Sequence, residues 1–373
     1  MIDDAEQDLT SQFTIPLNKG LKVYFEGIIN SFGYFFNGDD DDNAQFISSI
    51  DFSHFDWSKF DDMALLFAEC YALTSIDFSN FDLSKVTDMR YMFYYCTSLK
   101  SVILPENLQN VVDMSYMFNY CYSLKSIDFS KIDLSKVTNM DKMFQYCISL
   151  ESVILPEKLQ NVIDMNFMFF DCHSLKSIDL SKSDLSNVIN MDSMFFNCTS
   201  LESVTLPESL TNVEDMDLMF YQCSSLKSID LSNISLTKVT GMQSMFSDCK
   251  SLESVIFPKS GPENIENMNS LMRRCTSLTS IDLSIFTLSE DTTIKGLIEG
   301  CDSLVAIDLP IFDFETYQFA INLNMDPGDL HLKYLSLKWF SGESSDFAKL
   351  LSQLSDLYGL NSFSVCTIDK EII

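Results

Sequence analysis

Apolar positions recur along this chain every 25 or 26 residues, and each period holds two rhythms. In the first, four residues are spaced i, i+3, i+4 and i+7. Met89, Met92, Phe93 and Cys96 form one such set, and Met114, Met117, Phe118 and Cys121 the next. That spacing places all four on one side of a helix. An Asp or Asn stands directly before the first Met in most units (Asp88, Asp113, Asn139, Asp164, Asn190, Asp215), where its side-chain oxygen can cap a free helix N–H. Gly241 interrupts this column. The second rhythm is L-x-x-I-x-L, as in Leu73, Ile76, Phe78 and in Leu124, Ile127, Phe129. Its last two apolar positions alternate with period two, which predicts a strand with one buried side. Strands are accordingly predicted around Ile50, Ile76, Val102, Ile127, Val153, Ile178, Val204, Ile229, Val255, Ile281 and Ile307.

Stacking such units predicts an α/β repeat solenoid of leucine-rich-repeat type, with a parallel sheet on one face and short helices on the other. Residues 1–43 do not repeat and form an N-terminal cap; residues 44–310 carry the tandem units; residues 311–373 hold divergent repeats and a C-terminal cap. In that last part Leu332, Leu335, Leu337 and Leu360, Phe363, Val365 fit the strand template, and residues 344–360 have helical periodicity. These additions bring the expected array to about thirteen rungs. A longer period overlies the short one, because 26-residue SIDLS units alternate with 25-residue SVILP units. Residues 121–171 and 172–222 are identical at 34 of 51 positions, the mark of growth by copying pairs.

Ten of the eleven cysteines occupy one repeat position, from Cys70 to Cys301. Stacked side chains point in parallel, whereas a disulfide needs converging Cβ vectors. The column therefore reads as reduced thiols packed as small apolar groups. Local C-x₂₋₄-C pairs that would suggest zinc do not occur.

Formal charge is −30, from 24 basic and 54 acidic residues. A surface this acidic repels phosphate backbones, so no nucleic-acid partner is expected. The N-terminus MIDDAEQDLTSQF has neither a basic nor an apolar signal region, and no run of 18 apolar residues predicts a membrane span. Asp39 to Asp42 would start a calcium loop poorly: Ala44 stands where glycine is needed and Ile50 where the bidentate glutamate is needed.

The units C-x-S-L-x-S-I-D-L-S and V-x-x-M-x-x-M-F-x-x-C, with LP-E-x-L-x-N-V at 104–111, 155–162 and 206–213, resemble the BspA-like leucine-rich repeats of Treponema and mycoplasma type. The resemblance covers roughly residues 44–310 and implies a cell-surface adhesin or host-protein binder. The missing signal and the unpaired cysteines point instead to a cytoplasmic setting.

Catalytic constellations are not expected. His54, His173 and His331 stand at non-equivalent repeat positions, and no phosphate-binding glycine loop exists. The exposed strand face remains. Asp128, Ile154, Asp179, Thr205, Asp230 and Ile256 line its centre, flanked by an alternating ladder of Lys125, Glu151, Lys176, Glu202, Lys227 and Glu253. Apolar bars rimmed by polar groups suit a protein partner. The expectation is a non-enzymatic protein-binding solenoid with no cofactor or metal, its partner a host or extracellular-matrix protein. The alternative is an intracellular scaffold whose strand face has no specific ligand.

Overall fold

The computed structural model describes residues 57–289 and 291–308, with the backbone of two further strands. The predicted cap at 1–43, the strand at Ile50, the Asp39–Asp42 loop and the helical stretch at 344–360 lie outside these residues.

Ten strands of three residues each recur once per unit: β1 (Ser75–Asp77), β2 (Ser101–Ile103), β3 (Ser126–Asp128), β4 (Ser152–Ile154), β5 (Ser177–Asp179), β6 (Ser203–Thr205), β7 (Ser228–Asp230), β8 (Ser254–Ile256), β9 (Ser280–Asp282) and β10 (Ala306–Asp308). Two longer strands follow, β11 (Tyr334–Phe340) and β12 (Ser364–Ile368), in the segments where the divergent repeats place them. Every pairing is parallel and in register, so equivalent residues of successive units lie side by side. The strands are nevertheless not one continuous sheet. β1–β2, β3–β4, β5–β6 and β7–β8 are separate pairs, and only β9 to β12 join four in a row. Within a pair an extra bond closes the rung, as where Phe129 N–H donates to Ile154 O at 2.8 Å. Each open junction follows a rung that ends in Pro105, Pro156, Pro207 or Pro258. Proline restricts the backbone of the residue before it, which stands at the position whose N–H closes a rung within a pair. The copied pair seen in the sequence is thus also the unit of strand pairing.

The M-x-x-M-F-x-x-C segments are not helices, and this corrects the α/β expectation. The protein is a parallel β-solenoid of about nine turns. Among the described residues the one helical segment is a single 3₁₀ turn at Trp57–Lys59. Each segment consists of two consecutive four-residue turns. Met92 N–H reaches Met89 O at 3.3 Å, and Cys96 N–H reaches Phe93 O at 3.1 Å. The third residue of each turn is left-handed, Tyr91 at φ 56° and Tyr95 at φ 56°. Turning twice in this way sends positions 1, 4, 5 and 8 inward, the same four that a helix would bury. The inward list therefore holds: Met89, Met92, Phe93 and Cys96 are all at 0% exposure.

What differs is where the amides go. The N–H groups of Met89, Tyr91, Phe93 and Tyr95 donate to Asp113, Ser115, Met117 and Asn119 in the next turn, at 2.9–3.1 Å. The same four bonds recur at every junction from Met63 to Glu299. A parallel line of bridges from Asp62 to Thr293 runs beside them. The unbroken ladder of this solenoid thus lies on its turn side. Eighteen non-glycine residues hold positive φ to build it, joined at the last turn by Gly296 and Gly300. Such a backbone costs about 1 kcal/mol per non-glycine residue, so the inter-turn bonds and packing must outweigh it.

The core is a set of stacked columns. Phe67, Phe93, Phe118, Phe144, Phe169, Phe195, Phe220 and Phe246 form one run of rings, with centroids 5.4–5.5 Å apart and planes within 10°. The repeat cysteines lie beside it as buried thiols, with no disulfide among them. From Cys96 onward each Sγ donates to the carbonyl of the core residue one turn back, as from Cys172 to Phe144 O at 3.2 Å. Burial pushes the Cys70 thiol up to about 12, and a buried thiol of that kind is unreactive.

The Asp/Asn column caps turns instead of helices. Asp88 Oδ1 accepts from Arg90 N–H at 2.9 Å, Asp113 Oδ1 from Ser115 N–H at 2.8 Å, and Asp215 Oδ1 from Asp217 N–H at 2.9 Å. Gly241 cannot do this. Its amide partner two residues on, Gln243 N–H, is instead met by Asp217 Oδ1 of the previous turn at 2.6 Å. The Asp217 carboxylate fills the space a Cβ at 241 would need, at 2.8 Å. Asn269 does the same for Lys295 N–H at 2.6 Å, where Thr293 replaces the cap.

Asp217 has a consequence for pH. Burial, opposed by the Gln243 bond and aided by Asp215 and Asp192, raises its pKa from 3.8 to about 6. A carboxyl with a raised folded-state pKa contributes stability that is full below the unfolded value and lost as pH rises through the folded one. Stability should therefore increase between pH 7 and pH 4.5. The group is only half-buried, so the expected gain is about 1 kcal/mol after solvent screening. Urea midpoints measured at both pH values for the wild type and for Asp217→Asn, which keeps an acceptor for Gln243, should differ in slope by that amount. Identical slopes would refute the assignment.

Candidate functional site

The strand face is built by the pleat. In β3 to β7 the central Ile or Val points inward, and the residues on either side point out. Pairing in register then sets Asp128 beside Ile154, Asp179 beside Thr205 and Asp230 beside Ile256. All six residues proposed from the sequence are exposed on this one face, which also carries Asp77, Ile103 and Asp282. Ile103, Ile154 and Ile256 are 52%, 52% and 53% exposed, the largest values among exposed large apolar residues in the described part of the chain.

The aspartates are held in one geometry. Asp128 Oδ1 accepts from Ser130 N–H at 2.8 Å, Asp179 Oδ1 from Ser181 N–H at 2.9 Å and Asp230 Oδ1 from Ser232 N–H at 2.9 Å. Hydrogen bonds to Ser130, Ser181 and Ser232 hold these three carboxylates below their ordinary pKa. Asp77 is lowered in the same way by Ser79. Each carboxylate is thus ionised at neutral pH and held by both the amide and the hydroxyl of the serine two residues on. Among the described residues no lysine or arginine forms an ion pair with them.

The flanking Lys/Glu ladder is joined through the backbone more than through charge. Glu151, Glu202 and Glu253 each donate N–H to the carbonyl of Lys125, Lys176 or Lys227 at 2.8 Å. Of these three pairs only Lys125 and Glu151 bring opposite charges together, at 3.9 Å and well exposed, a contact of small value.

The opposite face was not anticipated. Outward positions of the turn segments carry a ladder of rings: Tyr95, Tyr120 and Tyr146 stack at 4.1 and 4.5 Å, Tyr146 meets Phe170 edge-on at 5.5 Å, and Phe170, Phe196 and Tyr221 stack at 4.4 and 4.7 Å. The ladder shifts by one column where Asp171 replaces tyrosine. Beside it, Tyr91 stacks on Tyr116 at 4.4 Å, and the Lys142 ammonium lies 5.0 Å from both the Tyr116 and the Phe167 ring centres. Reading the x positions of M-x-x-M-F-x-x-C as columns would have exposed this pattern. Its ring faces are occupied by one another, which makes it a surface staple between turns. His173 lies near it, 3.1 Å from Asp171 and from Asn197, and exposed. His54 and His331 lie outside the described residues. Among the described residues no three His, Cys, Asp or Glu side chains gather as a metal cage, and no helix is long and apolar enough to cross a membrane.

A family model matches the same repeated stretch of the chain. A model described as Mycoplasma protein of unknown function, DUF285, matches three times in succession, at residues 18–128, 122–229 and 214–320. The chain belongs to this family. The three matches overlap and together cover most of the chain, each spanning about four units, so the family pattern is itself a run of the turns described above. No curated protein matches the chain.

Proposed function

We propose that the protein is a non-enzymatic binding rod that docks another protein on its strand face, in the manner of the BspA-like leucine-rich-repeat surface proteins its units resemble. In this reading it acts as an adhesin, and the partner is a host or extracellular-matrix protein. The observation that carries the reading is the alternation of half-exposed isoleucine with ionised, fixed aspartate along one face. Exposed isoleucine on three of the four alternate rungs, at Ile103, Ile154 and Ile256, is uncommon for a sheet that only meets water. Pre-set carboxylates also lower the ordering cost of a contact.

The test is to replace Asp128, Asp179 and Asp230 together with lysine and to capture partners from host-cell extract beside the wild type. Circular dichroism run alongside checks that the fold survives the loss of the three exposed acceptors for the Ser130, Ser181 and Ser232 amides. Loss of the captured partners is the expected result. An unchanged partner set overturns the strand face as the site.

A further inference from the structure

We infer that the strand face also docks a second copy of this chain, as a two-fold dimer in which the rods run antiparallel and β4 of each copy faces β5 of the other. This rests on the strand-face reading above and adds an occupant to it. The argument is one of charge pattern. Lys125 and Lys131 flank Asp128 on the β3 rung, and Lys176 and Lys182 flank Asp179 on the β5 rung. Glu151 and Glu157 flank Ile154 on β4, and Glu202 and Glu208 flank Thr205 on β6. All of these flanking side chains are exposed. Lys131 and Lys182 add to the serine hydrogen bonds that lower the pKa of Asp128 and Asp179, which sets both ammonium groups beside the face. Of the flanking set only Lys125 and Glu151 enter an ion pair among the described residues, at 3.9 Å. Successive rungs thus alternate between two kinds. One is cationic at both ends with an acidic centre; the other is anionic at both ends with an uncharged centre.

Such a face complements itself in one arrangement. Its two-fold axis runs along the strand direction, between β4 and β5. Rung order then reverses, while each strand end stays opposite the same strand end. Lys125 of one copy meets Glu202 of the other, Lys131 meets Glu208, Lys176 meets Glu151, and Lys182 meets Glu157. Symmetry doubles these opposite-charge contacts. Asp128 faces Thr205 and Asp179 faces Ile154, so no carboxylate of the row meets another. A shift of one rung would set lysine on lysine and aspartate on aspartate. An axis along the rod would do the same, because it lays each rung on its own copy. Like charges opposed in this way exclude both alternatives. The match needs no particular rung spacing. The β3–β4 pair is turned onto the β5–β6 pair, and the open junction between β4 and β5 is turned onto itself.

The pattern also bounds the contact. One rung further out on each side, Lys100 beside β2 would face Lys227 beside β7, so the complementarity ends there. Exposed ion pairs contribute little singly, and a contact this small belongs to the weak, reversible class. The dimer therefore covers the face only until a tighter partner takes it.

The experiment is sedimentation velocity on the full chain from about 1 to about 300 µM, the range a weak interface requires. The wild type should pass from monomer to dimer. Lys125→Glu, Lys131→Glu, Lys176→Glu and Lys182→Glu combined should weaken dimerisation at least about tenfold, as should Glu151→Lys, Glu157→Lys, Glu202→Lys and Glu208→Lys combined. An equimolar mixture of these two variants should form a heterodimer, and the chain carrying both sets of exchanges should dimerise like the wild type. Those two arms separate lost complementarity from lost folding. A wild type that stays monomeric, or variants that all dimerise alike, overturns the proposal. If the lysine variant of Asp128, Asp179 and Asp230 still loses its captured partners in that case, the strand face remains a site for foreign proteins and only self-docking falls. If capture is unchanged as well, both fall.

Discussion

Phe169→Ala is expected to destabilise the protein by about 4 kcal/mol and to divide its unfolding into two transitions. Phe169 is at 0% exposure and is clamped between Phe144 and Phe195, at 5.5 Å on each side with planes 5° and 2° apart. Removing the ring leaves a gap open to both neighbouring turns. The turn cannot close over it, because Phe169 N–H is fixed to Met194 O at 2.9 Å and its carbonyl accepts from Cys198 Sγ at 3.0 Å. In a repeat array stability is close to a sum of nearest-neighbour contacts, so a weak junction near the middle uncouples the two halves. Urea unfolding followed by hydrogen exchange should show earlier exchange around 144–195 than at either side. Phe169→Leu fills most of the volume and should cost much less. A single, unshifted transition for the alanine variant would mean that the ring column does not hold the turns together.

The second large effect is expected at Ser244. Ser244→Pro should cost about 3 kcal/mol or more, while Ser244→Gly should be neutral or stabilising by up to about 1 kcal/mol. Ser244 has φ 52° and donates its N–H to Asn269 O at 2.8 Å. Proline cannot take that φ and has no N–H to donate. Glycine takes it freely, at the smaller cost of a more flexible unfolded chain. The pair discriminates between backbones. In a helix glycine too would destabilise, by about 1 kcal/mol; in a left-handed turn it relieves strain. Thermal melts of the two variants settle the matter, and a destabilised glycine variant would argue against the turn.

The inward side chains of the turns were legible because burial imposes a pattern whatever the backbone does. Met165, Met168, Phe169 and Cys172 are buried at i, i+3, i+4 and i+7, and a helix or two linked turns would print that same spacing. The signals against a helix were present but faint. Outward positions carry Tyr, Asp and Asn where helix formers would be usual, and Gly296 and Gly300 sit four apart at the two left-handed sites of the last turn. The outward position of the strand-face residues follows for a similar reason. Period two leaves no other side for Asp128 or Ile154 once Ile127 and Val153 go inward.

The amino-acid order alone determined the repeat length, the in-register stacking and the list of residues that leave water, since each follows from where apolar groups recur. Only the folded molecule decided how the backbone is bonded. An amide such as Phe93 N–H could satisfy itself within its own unit or at Met117 O in the next turn, 2.9 Å away. The choice depends on a carbonyl 24 residues on being held in place by its own neighbours. The ring ladder from Tyr95 to Tyr221 and the relay of the Gly241 cap to Asp217 arise in the same way. Each is a contact between turns, and a contact between turns exists only once the turns are stacked.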